Sequence, residues 1–303
     1  MPSGLTYFLT RLGGSLITML VGTMVVFFVM KAAPGDPALV VLGDFATPET
    51  IARFNADRGL DAPWLMQYAD WLGGILRFDF GTSLSVSADQ DISSLLAFRL
   101  PKTIFIGLYA MAIAIILSLI LGTLAARNRG NMVDTGATSL AVLGVSIGLG
   151  LFPSYGFTPP SESILGALHS GFLPALAIAA PMAAVFTRTL RTSLIENLDR
   201  EHVTVARSLG HSSRFQFLHH VFRNSAIPYI VVIGLQIRYL LGGVVIIERI
   251  FGVNGVGSLM VEAAFARDYF VVQACAVVFL AIVLGVNYVV DMICAMLDPR
   301  RTR

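Results

Sequence analysis

The stretch SLIENLDREHVTVARSLGHSSRFQFLHHVFRNSAIP, residues Ser193–Pro228, is the longest polar interruption in the second half of a very apolar chain. It contains four arginines and four of the five histidines of the protein. The apolar runs on both sides are close to the roughly 20 residues that a membrane-spanning helix needs. We therefore predict that this stretch is a polar loop that connects two membrane spans.

The pattern inside this loop predicts two short helices. Residues 194–209 have apolar positions at helical spacing, and Gly210 is placed to end that helix in the left-handed conformation. Ser212 or Ser213 can cap a second helix, and Pro228 then begins the next span. One apolar stripe is predicted along the second helix, at Phe215, Leu218, Val221 and Phe222.

Composition places the chain in the membrane. Of its 303 residues, 55% are hydrophobic and 13% are charged, and the mean hydropathy is +0.75. A soluble domain usually has about 25% charged residues. The two cysteines, Cys275 and Cys294, have no disulfide or metal-binding spacing and are predicted to be small core residues.

Six membrane-spanning helices are predicted from the apolar runs. The first run is longer than the roughly 7–15 residues of a signal-peptide core, so it is interpreted as a retained span. Two prolines in the fourth run are tolerated where neighbouring helices satisfy the freed carbonyl groups. The predicted spans are 8–30, 103–126, 133–152, 172–190, 228–247 and 270–297.

The largest polar region of the first half follows the first span. Residues 32–99 contain nine acidic residues and four arginines, a net charge of −5. Thr47 and Pro48 have the pattern of a helix cap and first helical position. Trp64, Tyr68 and Trp71 follow helical spacing, and such rings are typical of the membrane interface. We expect a small helical cap packed on the membrane domain, and a binding site is the alternative.

The distribution of arginine predicts the orientation, because cytoplasmic segments of membrane proteins are enriched in Lys and Arg. With the N-terminus inside, 12 of the 21 basic residues are cytoplasmic and region 32–99 faces outward. Both termini are then cytoplasmic. The twelve residues are Arg11, Arg127, Arg129, Arg188, Arg191, Arg200, Arg207, Arg214, Arg223, Arg300, Arg301 and Arg303.

No motif for a catalytic, nucleotide-binding or metal site stands out. There is no G-x-x-x-x-G-K-[ST] phosphate loop, and the glycine cluster Gly252–Gly257 is interpreted as a structural tight loop. The histidines of the polar loop lack zinc-ligand spacing and are expected to be solvated. Nucleic-acid binding by a helix-turn-helix is excluded, because the two short helices are tethered to membrane spans on both sides.

Ionisable residues inside predicted spans are candidates for function, because charge at membrane depth is costly. Arg238 lies ten residues into the fifth span, and Gln236 lies two residues before it. Arg238 is a candidate for the translocation path, where it would attract a carboxylate. Pairing with a partner subunit or reaching to the membrane interface are the open alternatives. Asp291, near the end of the sixth span, is expected to have a simple interface role.

Several segments together resemble one transporter family. The chain is similar to the permease subunits of bacterial ATP-binding-cassette (ABC) importers of the dipeptide, oligopeptide and nickel group, and most of all to the first-permease type. The segments that carry the resemblance are Pro34-Gly35-Asp36-Pro37, Gly59-Leu60-Asp61-Ala62-Pro63 with Gln67-Tyr68, Asp79-Phe80-Gly81-Thr82-Ser83, Arg99-Leu100-Pro101-Lys102-Thr103, Ala206-Arg207-Ser208-Leu209-Gly210, Arg223-Asn224, Arg267-Asp268-Tyr269 and Leu297-Asp298-Pro299-Arg300.

The resemblance implies an all-α polytopic inner-membrane protein with six spans and a small extracytoplasmic helical region. It implies no enzyme activity in this chain, with ATP and magnesium bound by two cytoplasmic ABC ATPases. A second homologous permease, an extracytoplasmic substrate-binding protein and membrane lipid complete the expected partners. The layout is then 1–31 for the N-terminus and first span, 32–99 outside, and 100–303 for the permease core, with a coupling loop at 193–227.

In such importers the loop before the fifth span carries a coupling helix that contacts the ATPase. The corresponding residues here are Thr204, Val205, Ala206, Arg207, Ser208, Leu209 and Gly210. Arg207 and Gly210 are the strongest candidates for that role. The signature glutamate of the coupling helix is absent, and Glu201 is out of register with it. The third span is shorter than in relatives by roughly fifteen to twenty residues, which leaves barely enough length to cross.

A peptide is the expected cargo, since it is the commonest in this group. Nickel, glutathione, an opine or an oligosaccharide is the alternative cargo for the same machinery. A secondary carrier would need paired intramembrane carboxylates and repeats, and an intramembrane enzyme would need a nucleophile or metal constellation. The sequence shows neither pattern.

Overall fold

A computed structural model describes residues 4–32, 37–127, 152–198, 200–210 and 212–297. Within these ranges the chain is almost entirely helical, and the one β feature described is an isolated bridge between Thr82 and Asp91. This confirms the predicted all-α fold. The helices are α1 (Gly4–Ala32), α2 (Pro37–Leu42), α3 (Pro48–Asp57), α4 (Trp64–Leu76), α5 (Ile92–Arg127), α6 (Ile164–Leu198), α7 (Glu201–Ser208), α8 (Ser213–Gln216), α9 (Arg223–Phe251), α10 (Val256–Phe265) and α11 (Tyr269–Leu297).

Four of the described helices, α1, α5, α6 and α11, are long and apolar enough to cross a membrane. The segments Ser213–Ile237 and Tyr239–Phe251, which meet at an angle of 44°, give a fifth span when the bent pair is counted as one. These five match predicted spans, although α5 and α6 extend well beyond the predicted bounds. The predicted third span, 133–152, lies outside the described residues except for its last position.

The centre of the bundle is the packing of α5 and α6 against α9. Buried alanines repeat at four-residue spacing on both α5 and α6, so the two backbones can approach closely. Small residues drive helix association in lipid, where burial of apolar surface adds little. Gly122 has the same role, because a Cβ there would lie 3.1 Å from the Leu190 side chain. The alanines are Ala110, Ala114, Ala175, Ala179 and Ala183.

Helix α1 is peripheral. Its main contact is with α11, and most of its large apolar side chains are exposed. Near its C-terminal end, Phe27 and Phe28 contact the rings of Trp64, Tyr68 and Trp71 on α4 at 5.5–6.3 Å between centroids. The predicted packing of this aromatic set on the membrane domain is therefore confirmed. Thr47 also caps α3, as predicted, with its hydroxyl accepting from the Thr50 amide at 3.2 Å.

A buried carboxylate connects the loop after α4 to the turn between α10 and α11. Asp268 is fully buried, and its Oδ2 accepts from the Ser83 hydroxyl at 2.6 Å and from the amides of Leu84 and Ser85 at 2.8 and 2.9 Å. The Ser85 hydroxyl donates to the Ala266 carbonyl at 2.8 Å. These bonds fix the polar region after the first span on the bundle.

At the other end of the bundle, Arg11 of α1 and Asp291 of α11 form an ion pair at 2.9 Å. This agrees with the interface role predicted for Asp291. The N-terminal part of α9 lines a cavity together with these two residues. The start of α1, the end of α11 and the polar loop between α6 and α9 therefore lie at one end of the bundle.

Asp268→Ala is predicted to lower stability strongly, because it leaves several buried donors without an acceptor, each at a cost of about 1–3 kcal/mol. Thermal unfolding of the detergent-purified protein measures this. Asp57→Ala is the matched control, since Asp57 lies 4.0 Å from Arg53 on the surface, where an ion pair contributes roughly 0–1 kcal/mol. Equal melting temperatures of the two variants would contradict the assigned role of Asp268.

Candidate functional site

The polar loop between α6 and α9 folds as two short helical segments around Gly210. Gly210 has a φ of +77°, which confirms the predicted left-handed position. Ser212 is the N-cap of the second segment, with its hydroxyl accepting from the Phe215 amide. Residue 199, residue 211 and the side chains of Thr204, Ala206 and Arg207 lie outside the described part of the chain.

The prediction of one helix over residues 194–209 is wrong. Helix α6 ends at Leu198, a turn follows in which the Arg200 amide donates to the Asn197 carbonyl at 3.4 Å, and α7 starts at Glu201. The reason is packing: the turn brings Val203 into the core of the bundle, where it is 2% exposed. Helical periodicity alone does not report such a break between two helices.

The single apolar stripe predicted for the second segment is also wrong. Residues Phe217–Phe222 form a π-helical turn between α8 and α9. A π-turn has more residues per turn than an α-helix, so it rotates the side chains away from α-helical positions. As a result Val221 is fully buried, whereas Leu218 and Phe215 are exposed. The α9 helix then runs through Pro228, instead of beginning there.

The base of the loop is held by a buried polar cluster. The Asn197 side-chain amide donates to the Ser193 carbonyl at 2.8 Å and to the Ser225 hydroxyl at 3.1 Å. The Ser225 hydroxyl in turn donates to the carbonyls of Ser193 and Val221 at 3.0 and 2.9 Å. These bonds connect the end of α6 to the start of α9, so the loop is attached at both ends to packed helices.

The outer surface of the loop carries apolar side chains. Val205 is 58% exposed and Leu209 is 71% exposed, and Ser208 and Gly210 are exposed beside them. Both apolar residues belong to the segment that the sequence assigned to coupling. The structure therefore brings together a buried anchor at Val203 and an exposed apolar surface on the same short helix.

The translocation-path candidates Gln236 and Arg238 both lie on α9. Gln236 is half-buried, and the side chain of Arg238 lies outside the described residues. The bend of 44° in the fifth span falls between Ile237 and Tyr239, so both candidates are at the bend.

Glu248 was missed in the sequence. It is the largest fully buried charged residue that the structure describes, near the end of α9. Its carboxylate accepts from the Thr103 hydroxyl at 2.6 Å and from the Ser258 amide at 3.0 Å, and the Gly257 amide also donates to it. The Thr103 hydroxyl accepts from the Val256 amide at 2.8 Å. Thr103 and Asp268 both lie in segments that carried the family resemblance. That resemblance was the one signal in the sequence that pointed to these positions.

The glycine cluster Gly252–Gly257 forms the loop around this carboxylate. Gly252 ends α9 with a φ of +67°. A Cβ at Gly255 would overlap the Glu248 carboxylate, and one at Gly257 would lie 2.7 Å from the Val245 backbone. The predicted structural role of the cluster thus has a physical cause, which is close approach of the loop to Glu248.

Comparisons with known proteins define the class of protein. Residues 118–303 match the family described as binding-protein-dependent transport system inner membrane component, and residues 4–106 match the N-terminal component of the same system. The chain belongs to this family. It is a polytopic membrane permease of an ABC importer, and ATP hydrolysis is carried out by separate subunits.

Individual relatives cover nearly the whole chain. A putative peptide transport system permease of Brucella abortus is 38% identical over 307 residues, covering 96% of this chain and 97% of the relative. The oligopeptide transport system permease AppB of Bacillus subtilis is 32% identical, covering 92% and 93%. The glutathione transport system permease GsiC of Salmonella typhi is 31% identical, covering 97% and 98%.

Among solved structures, an amino acid ABC transporter crystallised with histidines matches with a TM-score of 0.49 at 14% identity. The match covers 66% of this chain and 93% of that chain.

Gly257→Ala is predicted to destabilise the protein, because the added methyl group meets backbone atoms of α9 that cannot move without shifting the helix. Gly242→Ala is the matched control on α9, since nothing lies within 4 Å of a Cβ there. The control is expected to be neutral or up to about 1 kcal/mol more stable. Thermal unfolding in detergent compares the two, and equal behaviour would contradict the packing described for the Glu248 loop.

Proposed function

We propose that this permease imports a small peptide, either a dipeptide or an oligopeptide. The observation that carries the proposal is the similarity along nearly the full chain to permeases named for peptide and oligopeptide transport. Glutathione is the second candidate, because GsiC is 31% identical over a similar length. Glutathione is itself a tripeptide, so both candidates share a zwitterionic peptide chemistry.

The assembly proposed here contains a second, homologous permease. Supporting this, α9 has exposed large apolar side chains at positions 239, 246 and 250, which lie on one face of the helix. A partner helix would cover this face. Gln236 and Arg238 lie on the same helix and are proposed to line the path between the two permeases, where Arg238 attracts the peptide carboxylate.

Coupling to the ATPase is proposed for residues 204–210. Val205 and Leu209 supply an exposed apolar surface for the ATPase, and Val203 anchors the same helix in the bundle. The cluster of Asn197, Ser193 and Ser225 fixes the base of the loop. A movement of the ATPase would therefore be transmitted to α6 and α9 as a rigid-body displacement.

The proposed orientation places the polar loop and both termini in the cytoplasm. The arginine distribution supports it, and so does the position of the Arg11–Asp291 pair at the same end of the bundle as the loop. Region 32–99 then faces the substrate-binding protein, and residues 100–303 form the permease core. ATP binding would close the ATPases, and ligand would bias the two access states only through its different affinity for them.

Leu209→Asp is predicted to abolish ATP-dependent uptake and to reduce co-purification of the ATPase, because it puts a charge into the proposed apolar contact. Gly210→Pro and Arg207→Glu are expected to abolish uptake while leaving membrane insertion intact. Proline fixes φ near −65°, which is incompatible with the φ of +77° at Gly210.

Leu76→Asp is the control for Leu209→Asp. Leu76 is 76% exposed, but it lies on α4, at the opposite end of the bundle. The Leu76→Asp variant should leave the amount of co-purified ATPase unchanged. Full uptake and normal ATPase co-purification in the Leu209 and Gly210 variants would rule out residues 204–210 as the coupling segment.

The substrate is tested by mass spectrometry of ligand co-purified with the substrate-binding protein of the system, followed by uptake of that ligand in cells with the complete transporter. Peptides in the binding protein, and uptake that excess glutathione does not inhibit, are the expected results. Uptake competed fully by glutathione would select the second candidate. A nickel ion, an opine or an oligosaccharide in the binding protein would refute peptide import.

A further inference from the structure

A cavity of about 540 Å³ lies between α1, α9 and α11, at the end of the bundle that carries the polar loop. Its volume is in the range of roughly 300–1,000 Å³ typical of small-molecule sites. One wall is polar, with the Arg11–Asp291 ion pair, the hydroxyl residues of α1 and Asn287 of α11. Part of the remaining wall is apolar and includes Leu235 and Leu284.

Arg11 lies three residues inside the apolar span Phe8–Ala32, and Asp291 lies three residues inside the span Tyr269–Cys294. Three residues of helix correspond to about 4.5 Å. When the ends of these apolar spans are taken as the limits of the hydrocarbon region, both charges lie close to the boundary between headgroups and acyl chains. Leu235 and Leu284 lie farther along their helices, deeper in the membrane. The cavity is thus charged near the headgroup boundary and apolar deeper in the membrane. A phospholipid has the same order of polarity, from its charged headgroup to its acyl chains.

We propose that this cavity binds a zwitterionic phospholipid with a primary ammonium group, phosphatidylethanolamine. The Arg11 guanidinium binds the phosphate, for which its planar set of five donors is well suited. The Asp291 carboxylate, which is 35% exposed, accepts from the ammonium group. The headgroup and the ion pair together form an alternating array of four charges, in which every charge has an opposite neighbour.

Two other common phospholipid headgroups fit less well. Phosphatidylethanolamine and phosphatidylglycerol would both place a phosphate near the Asp291 carboxylate, but phosphatidylglycerol has no cation to offset the repulsion between the two anions. Phosphatidylcholine has a cation without N–H donors, so it cannot hydrogen-bond to the carboxylate.

A lipid is favoured over a transported peptide because α1 forms one wall of the cavity. The exposed side chains of this helix are large and apolar, including Leu16, Ile17 and Leu20, as expected for a helix in contact with acyl chains. Gly234 closes the back of the cavity, because a Cβ there would lie 2.7 Å from the Val290 side chain. The proposal does not depend on which substrate the transporter carries.

Two adjacent glycines of α1 give a matched test. Gly14 lines the cavity and Gly13 does not, and a Cβ added at either position would have no atom within 4 Å. Gly14→Leu therefore fills part of the cavity while both residues of the ion pair are retained, and Gly13→Leu makes the same chemical change on a different face of the helix. Both changes should favour helix formation equally.

The experiment uses the complete transporter, stripped of lipid and incubated with an equimolar mixture of phosphatidylethanolamine, phosphatidylcholine and phosphatidylglycerol with identical acyl chains. Native mass spectrometry then counts the lipids retained. The unmodified protein and Gly13→Leu should retain phosphatidylethanolamine about tenfold more than phosphatidylglycerol, as expected for one charge-assisted contact. The Gly14→Leu variant should retain about tenfold less phosphatidylethanolamine than the unmodified protein. Asp291→Asn should lose the preference for phosphatidylethanolamine over phosphatidylglycerol.

Several results would overturn the proposal. Equal retention of the three lipids would show that the cavity does not select phosphatidylethanolamine. Equal lipid retention by the Gly13→Leu and Gly14→Leu variants would show that the lipid does not bind in this cavity. Displacement of the bound species by a dipeptide, but not by excess lipid, would assign the cavity to substrate instead. If the Gly14→Leu variant fails to assemble, the Asp291→Asn variant tests the proposal by itself. An unchanged preference of that variant for phosphatidylethanolamine over phosphatidylglycerol would then contradict the proposal.

Discussion

The structure depends on one constraint: polar groups buried in the bundle must find their partners within the protein. The break between α9 and α10 exposes backbone amides that a continuous helix would satisfy. Glu248 accepts from amides at the start of α10, and Thr103 of α5 takes the Val256 amide while donating to Glu248. One carboxylate thus joins three helices at a point where the chain reverses direction.

Asp268 solves the same problem at the next reversal. It accepts from two consecutive amides in the loop after α4, and it lies directly before α11. Both carboxylates lie at the end of the bundle opposite the loop between α6 and α9. That loop is held differently, by neutral groups of Asn197 and Ser225 and by the burial of Val203. One end of the permease therefore relies on buried charge, and the other on neutral hydrogen bonds and packing.

Local patterns in the sequence predicted the local features well. The cap at Thr47, the left-handed Gly210 and the last span all depend on residues within a few positions of each other. The helix break after Leu198 and the π-turn at Phe217–Phe222 were not predictable in this way, because they depend on what Val203 and Val221 pack against. Glu248 and Asp268 were missed for a related reason. Their side-chain partners Thr103 and Ser83 are 145 and 185 residues away, and no periodicity connects such distant positions.

The pairing of the first helix with the last has a consequence for biogenesis. During synthesis α1 enters the membrane long before α11 exists, so only its C-terminal end, which contacts α4, has a packing partner early in translation. Arg11 likewise waits for Asp291, which is made 280 residues later. The bundle closes only when the C-terminal helix is inserted. A chain without α11 therefore keeps the contact between α1 and α4 but leaves Arg11 without its ion-pair partner Asp291.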